Sequence, residues 1–400
     1  MSFFKKYFGP STLVTAAFIG PGTLTVCTVA GADFGYSLLW VLLFAVFATI
    51  ILQEMAARLG LITQRGLGEA IGSEIANPVL RSLSIILVFT AIIVGNAAYE
   101  AGNISGAVLG ISGVFGEEIP WEVVIGILSF GILFIGKFKV IERILIGLVL
   151  VMSVVFILTA IVVKPDVSSI FSGLLIPSFN SGNQLAVLAL IGTTVVPYNL
   201  FLHASSVSQK WKSPEQLKDL RIENGVAIGV GGLISMAIVI TSAATLFGSG
   251  GVSNMSEMAV QLEPLLGSRA RYFLATGLFA AGISSSITAP LAAAYTARGI
   301  FGWDGDAKST KFRAVWIFIL LVGVVFSMIG YKPIEVIRLA QIANGILLPV
   351  VVFFLIFISN KKSLLGKHTN KTRQNILAIL VIIVSLVISF RSFNSVFNFI

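Results

Sequence analysis

The chain has 400 residues, of which 56% are hydrophobic and 11% charged, with a formal net charge of +9. A soluble domain carries roughly 25% charged residues, so this composition excludes one and points to a membrane protein. The single cysteine, Cys27, excludes an intrachain disulfide, and the charge is spread over loops rather than gathered in a nucleic-acid-binding stripe.

Apolar stretches of about 18 residues or more, each able to cross a ~30 Å hydrocarbon layer, recur from end to end. The short basic segment 1–7 leads into an apolar run that continues through Gly20-Pro21-Gly22, so it reads as the start of a first span rather than a cleaved targeting peptide. Eleven spans are predicted, near 11–33, 36–59, 83–112, 121–137, 141–163, 184–209, 224–248, 270–298, 313–330, 334–359 and 374–391. The connections between them are too short to hold a soluble domain. The expectation is therefore one all-α integral membrane domain over residues 1–400. Two five-helix halves (about 11–163 and 184–359) are followed by one extra helix (about 374–391).

With the amino terminus taken as cytoplasmic, the cytoplasmic loops hold twenty Lys and Arg residues and the opposite loops five, Lys164, Arg269, Arg271, Lys332 and Arg391. That asymmetry is a strong positive-inside signal. It predicts a multi-pass protein with a cytoplasmic amino terminus and its carboxyl terminus on the opposite side. It also accounts for the basic charge without nucleic acid.

Two spans carry proline near their middle. Pro21 sits between Gly20 and Gly22 in the first, and Pro197 interrupts the sixth. Proline removes a helix hydrogen bond, and hydrocarbon tolerates the freed backbone only beside protein or a polar cavity. Spans one and six are matching members of the two halves. Paired interruptions there mark a transporter site built on inverted repeats, with packing kinks as the plainer alternative.

Around these breaks the chain resembles the natural resistance-associated macrophage protein (NRAMP) family of divalent metal transporters. The first span reads GPGTLTVCTVAGADFGYSLLW, similar to the family's DPGN followed by AGAxxGYxLLW. The second reads LQEMAARLGLITQRGLGEA, close to LQExxARLGxxTGxxLAE, and the sixth reads VPYNLFLHASSV beside MPHNLFLHS. SSSITAPLAAAYTARGIFG and AQIANGILLPVVV resemble the eighth and tenth helices. The resemblance implies a LeuT-like fold of two inverted five-helix repeats, a site between broken helices 1 and 6, and alternating access.

The likeness fails where the family binds metal. Its Asp and Asn of DPGN, and its Met and His of MPH, correspond here to Gly20, Thr23, Val196 and Tyr198. The family's Asp-x-x-Glu pair on the third helix aligns with Asn96 and Tyr99, with Glu100 immediately beside it. Neutral oxygens remain: the Thr23 hydroxyl (the sole side-chain metal ligand expected), the Tyr198 hydroxyl, and backbone carbonyls. Softness and geometry select transition metals, so this set suits a hard cation that keeps part of its water, Mg²⁺ or Mn²⁺. The alternative is a small amino acid, organic acid or anion, held by the amides at the half-helix starts.

Gln341 and Asn344 on span ten join Gly20, Thr23, Val196 and Tyr198 as expected substrate-binding residues, with Pro21, Gly22 and Pro197 as the helix breaks. Glu100, His203, Asn96 and Tyr99 are candidates for proton transfer or gating. For Glu100 and His203 a structural hydrogen bond is the competing reading. Glu54 is expected to pair with Arg58 one turn later. Thr25 and Thr28 are expected to bond their own helix, Asp33 to face water, and His368 to be solvated. No nucleotide loop, HExxH, CxxC or nucleophile elbow occurs, so neither ATP-driven pumping nor an enzyme is expected, and no cofactor. The expected partners are the bilayer, a small ion or solute, and a proton as candidate co-ion.

Overall fold

The computed structural model describes residues 9–11, 15, 19–136, 139–303 and 307–397. Fourteen helices position the site. They are α1 (Pro21–Phe34), α2 (Leu39–Thr63), α3 (Leu67–Glu74), α4 (Pro78–Phe115), α5 (Trp121–Ile135), α6 (Lys139–Val162) and α7 (Val167–Leu175). After these come α8 (Gln184–Thr194), α9 (Pro197–Lys210), α10 (Leu217–Leu246), α11 (Ala270–Phe301), α12 (Thr310–Ser327), α13 (Pro333–Ser359) and α14 (Thr372–Phe397). Only short helical turns occur besides these among the described residues.

Nine helical stretches among the described residues are long and apolar enough to cross a membrane, and α8 with α9 counts as one of them. The 15-residue α5 and the broken first span, whose second half is α1, complete the expected set. The amino-terminal half of that first span lies mostly outside the described residues.

Local chemistry sets the helix ends. Asn77 caps α4 by accepting from the Val79 and Leu80 amides at 2.9 and 3.1 Å, and Pro78 occupies the first helical position, where no amide is missed. The α5 helix stops at Gly136, whose φ of 68° is left-handed and open to glycine without strain. Hydropathy placed the seventh span near 224, yet α10 begins at Leu217. Its first turns, LKDLRIE, form helix readily but are too polar to register as membrane sequence. Helices α3 and α7, at 8 and 9 residues, lie in connections and escape a hydropathy window for the same reason.

The bundle is organised around α4, which packs against α11, α12 and α13, while α1 packs against α10. Helices α8 and α9 pack on α2 and α13. Between hydrocarbon-clad helices, close approach of small residues replaces the hydrophobic drive. A Cβ on Gly106 of α4 would lie 2.2 Å from the Pro21 side chain, and one on Gly192 of α8 would lie 1.9 Å from the Gln341 carbonyl oxygen of α13. These approaches bring α1, α4, α8 and α13 together at the level of the helix breaks.

The Gly192 contact is backbone against backbone, so no rotamer change can relieve it. Gly192→Ala is expected to destabilise the protein by about 1–3 kcal/mol, as overpacking does. Gly131→Ala, at a site with nothing within 4 Å, should leave thermal unfolding in detergent unchanged. Equal melting of the two variants would refute this packing.

Candidate functional site

The second break is a junction of two half-helices, α8 and α9. On the span-one side, Gly20 has an extended backbone (φ −100°, ψ −172°), and Pro21 opens α1 at its first position. On the span-six side, α8 ends at Thr194, Val195 and Val196 leave helical geometry, and Pro197 opens α9. The interruptions thus lie at Gly20 and Val195-Val196. Pro21 and Pro197 start the following halves, and Gly22 is already helical.

Neither α1 nor α9 has a side chain capping its amino terminus. The start of each following half offers uncapped amide N–H groups, and at the second break the end of α8 offers carbonyls. One freed carbonyl finds a partner in a neighbouring helix, where the Thr49 hydroxyl of α2 donates to the Thr194 carbonyl at 3.3 Å.

Thr23, one turn past the first break, meets Thr193 just before the second, with their hydroxyl oxygens 2.9 Å apart and both residues buried. Thr193 was not singled out from the sequence, although two threonines directly ahead of the Val-Val-Pro break are a polar signal in an apolar helix. The Gln341 amide lies against Gly22, where a Cβ would come within 2.3 Å of Nε2, and Asn344 reaches the Gly95 face of α4. Gln341 and Asn344 are both buried. The structure thus brings Gly20, Thr23, Gln341 and Asn344 to the meeting of α1, α4, α8 and α13.

Beside Val196, Tyr198 packs edge-on against Tyr99 of α4, ring centroids 5.4 Å apart. Asn96, one turn earlier on α4, donates from Nδ2 to its own helix at the Ile92 carbonyl, 2.9 Å, which leaves its side-chain oxygen for other partners. Glu100 turns away from this group. It packs on Gly323 of α12, accepts from Asn103 Nδ2 at 3.2 Å, and has the Ser286 hydroxyl of α11 beside it. Its neighbours are α11 and α12 rather than the breaks.

His203 lies on α9 beyond Tyr198. Its Nδ1 is 2.9 Å from Gln53 Oε1 of α2, and its Nε2 is 3.2 Å from the Ser11 hydroxyl. The Ser11 amide in turn donates to Glu223 of α10 at 3.2 Å. His203 therefore joins the start of span one to α2 and α9 through hydrogen bonds, the structural reading of this residue. Ser11, Gln53 and Glu223 complete this cluster; nothing in their sequence spacing marks them.

The remaining expectations divide. Glu54 pairs with Arg58 at 3.2 Å and also with Arg221 at 2.8 Å. The buried Arg58 guanidinium further donates to the His368 carbonyl and to Asn370. That network draws the loop before α14 onto α2, so His368 is half-buried rather than fully solvated. Burial first, then the positive Lys367, Arg58 and Arg221, hold its imidazole below the usual histidine range. Thr28, expected to bond its own helix, meets a distant side chain. Its hydroxyl accepts from Gln261 Nε2 at 2.9 Å, tying α1 to the segment before α11. Asp33 is exposed, as expected.

The donor set around the breaks is neutral: hydroxyls from Thr23, Thr193, Tyr99 and Tyr198, amides from Asn96, Gln341 and Asn344, and backbone. Among the described residues, no three His, Cys, Asp or Glu side chains come together as a metal cluster.

The model for the family described as natural resistance-associated macrophage protein-like (Nramp) matches residues 11–394. The chain belongs to this family. It is similar to proteins named divalent metal cation transporter MntH. One, from Yersinia pestis, is 26% identical over 94% of this chain and 91% of its own length. Another, from Caldanaerobacter subterraneus, is 27% identical over 94% and 90%. In fold, this Nramp-family chain is similar to a manganese transporter from Eremococcus coleocola, with a TM-score of 0.81 at 20% identity, over 99% of this chain and 88% of the other. It also resembles MhsT, solved with L-phenylalanine, with a TM-score of 0.59 at 16% identity over 97% and 98% of the two chains. Family and fold together make this Nramp-family chain an integral, multi-pass membrane protein.

The Thr23–Thr193 contact should register as a coupling. In a double-mutant cycle with Thr23→Val and Thr193→Val, thermal unfolding should give an interaction of about 0.5–1.5 kcal/mol, the usual net worth of a hydrogen bond. Strict additivity would mean that the two hydroxyls do not support each other.

Proposed function

We propose that this Nramp-family chain is a secondary transporter that moves a divalent cation, Mg²⁺ or Mn²⁺, by alternating access, with part of the ion's water retained. The observation that carries the reading is the neutral oxygen set at paired helix breaks, in a chain whose relatives are named divalent metal cation transporters. A bare divalent ion would be poorly compensated by neutral groups alone. Mg²⁺ sheds water reluctantly, so hydroxyls and amides can bind the shell instead of the ion. Gly20, Thr23, Val196, Tyr198, Gln341 and Asn344 are the proposed binding residues, and the twofold repeat over 11–163 and 184–359 is the proposed frame.

The basic loops place the amino terminus on the cytoplasmic side in this reading, and the carboxyl terminus opposite. Glu100 sits in an apolar helix among Asn103, Ser286 and Gly323, which makes it the carboxylate best placed to carry a co-transported proton. His203, bridging α9, α2 and Ser11, is the proposed gating residue.

A second reading, a small amino acid, organic acid or anion as solute, is favoured by one feature. The uncapped starts of α1 and α9 present amides to the breaks, and amides at helix starts suit carboxylates.

Purified protein in vesicles should take up Mg²⁺ or Mn²⁺. If neither ion crosses or binds at millimolar concentration, while an amino acid, organic acid or anion raises the melting temperature, the second reading replaces the first. Selectivity gives a sharper check. Gly20→Asp combined with Val196→Met supplies a carboxylate and a thioether, and should raise Cd²⁺ affinity at least ~10-fold over the unmodified protein, since soft ligands select soft metals.

A further inference from the structure

The connection between the last two spans is a compact basic platform. Residues 360–373, which lead from α13 into α14, carry Lys361, Lys362, Lys367, Lys371 and Arg373 and no aspartate or glutamate. The segment is folded. It makes helical turns at Lys362–Leu365 and Gly366–His368, and Leu365 is buried. The Asn370 amide donates to the Ser359 carbonyl at 3.0 Å. The Asn370 side chain accepts from Arg58 of α2 at 2.6 Å and donates to Asn375 at 2.7 Å. Asn360 and Asn375 exchange side-chain hydrogen bonds at 2.9 and 2.8 Å, which tie the end of α13 to the start of α14.

No carboxylate answers these charges. Glu54, the acid at this corner, is taken up by Arg58, Arg221 and Gln374. Glu74 accepts from the Ser363 hydroxyl at 2.9 Å. None of the five basic residues forms an ion pair at 4 Å or less among the described residues. Lys362, Lys367, Lys371 and Arg373 are exposed, and Lys361 lies over the Phe357 ring at 4.4 Å. Burial first, then Lys367, Arg58 and Arg221, hold the His368 imidazole below the usual histidine range, a sign that positive charge prevails here.

We propose that this platform binds the headgroups of anionic phospholipids, whichever solute the protein moves. Clusters of four or more Lys and Arg directly beside a spanning helix attract anionic lipid. Two features favour lipid over a free phosphate. The platform starts where α13 ends and runs into α14, and both helices are long and apolar enough to cross the membrane, so it lies at headgroup level. Arg373, Ile376, Leu380 and Ile383 also follow at helical spacing on one face of α14, and the three apolar side chains are 59%, 47% and 52% exposed. A headgroup phosphate on Lys371 and Arg373 thus leaves its acyl chains against an exposed apolar stripe, which a soluble phosphate would not use. Because Arg58 ties the platform to α2, an occupied site also steadies α2, α13 and α14 against one another.

Native mass spectrometry of the purified full chain tests this, with phosphatidylglycerol and phosphatidylcholine of identical acyl chains added in detergent. The unmodified protein should retain phosphatidylglycerol over phosphatidylcholine by ~5-fold or more, the factor that one basic side chain near an anionic surface sets. A variant carrying Lys362→Gln, Lys367→Gln, Lys371→Gln and Arg373→Gln should retain the two lipids equally. A second variant, with Arg65→Gln, Arg81→Gln, Arg143→Gln and Lys311→Gln, loses the same charge from other loops and should keep the preference. Equal retention by the unmodified protein would overturn the proposal. So would equal loss in the two variants, since the attraction would then be diffuse. Thermal unfolding of the unmodified protein gives an independent readout. Phosphatidylglycerol should raise the melting temperature more than phosphatidylcholine, inorganic phosphate or a short RNA at equal concentration. A rise of the same size with phosphate or RNA would also overturn the lipid assignment. Neither measurement involves solute, so failure of the transport reading leaves this one standing.

Discussion

In hydrocarbon, a backbone amide or carbonyl without a partner costs several kcal/mol, and interrupting a spanning helix frees several of them at once. This constraint shapes the centre of the molecule. Pro21 and Pro197 sit at first helical positions, where a missing amide costs nothing. The Thr194 carbonyl is met by Thr49 of a neighbouring helix. The remaining polar backbone is enclosed because α1, α4, α8 and α13 approach at glycine. Gly106 seats against Pro21, Gly22 against the Gln341 side chain, and Gly192 against the Gln341 backbone. The broken helices and the glycine contacts solve one problem together. A larger side chain at Gly106 or Gly192 would part the helices that cover the breaks, whereas one at Gly22 would first displace the Gln341 amide.

The groups around the breaks are neutral, and the acidic side chain nearest in sequence, Glu100, is turned into the α4–α11–α12 contact. Tyr99 and Tyr198 face each other from the scaffold helix α4 and the half-helix α9. The result is a set of dipoles with no fixed charge among them.

The two ends of the bundle are built differently. The basic side is held by hydrogen bonds through Ser11, His203, Gln53 and Glu223, and its corner is braced by Glu54, Arg58 and Arg221. The other side has a wide cavity lined by Asp33, Glu257 and Arg338.

Much of this was legible in the sequence. Long apolar stretches, their number and the positions of Pro21 and Pro197 follow from hydropathy and backbone chemistry, which are local properties. The resemblance around GPGT and VPYN located the break region and named Gly20, Thr23, Val196, Tyr198, Gln341 and Asn344. Pairing across helices was not legible. That Thr193 meets Thr23, that Gln261 reaches Thr28, or that Asn370 docks on Arg58 depends on which faces of distant helices meet. Between apolar helices in a bilayer, one face looks much like another in composition, because lipid and protein interior are equally greasy. The direction of Glu100 shows the same limit. A one-residue offset turns a side chain about 100° around a helix, enough to point it at α12 instead of the breaks. Sequence alone determined that the chain spans the membrane and where its helices break. Tertiary packing decided which polar side chains meet beside the breaks, because that depends on which helix faces are turned towards each other.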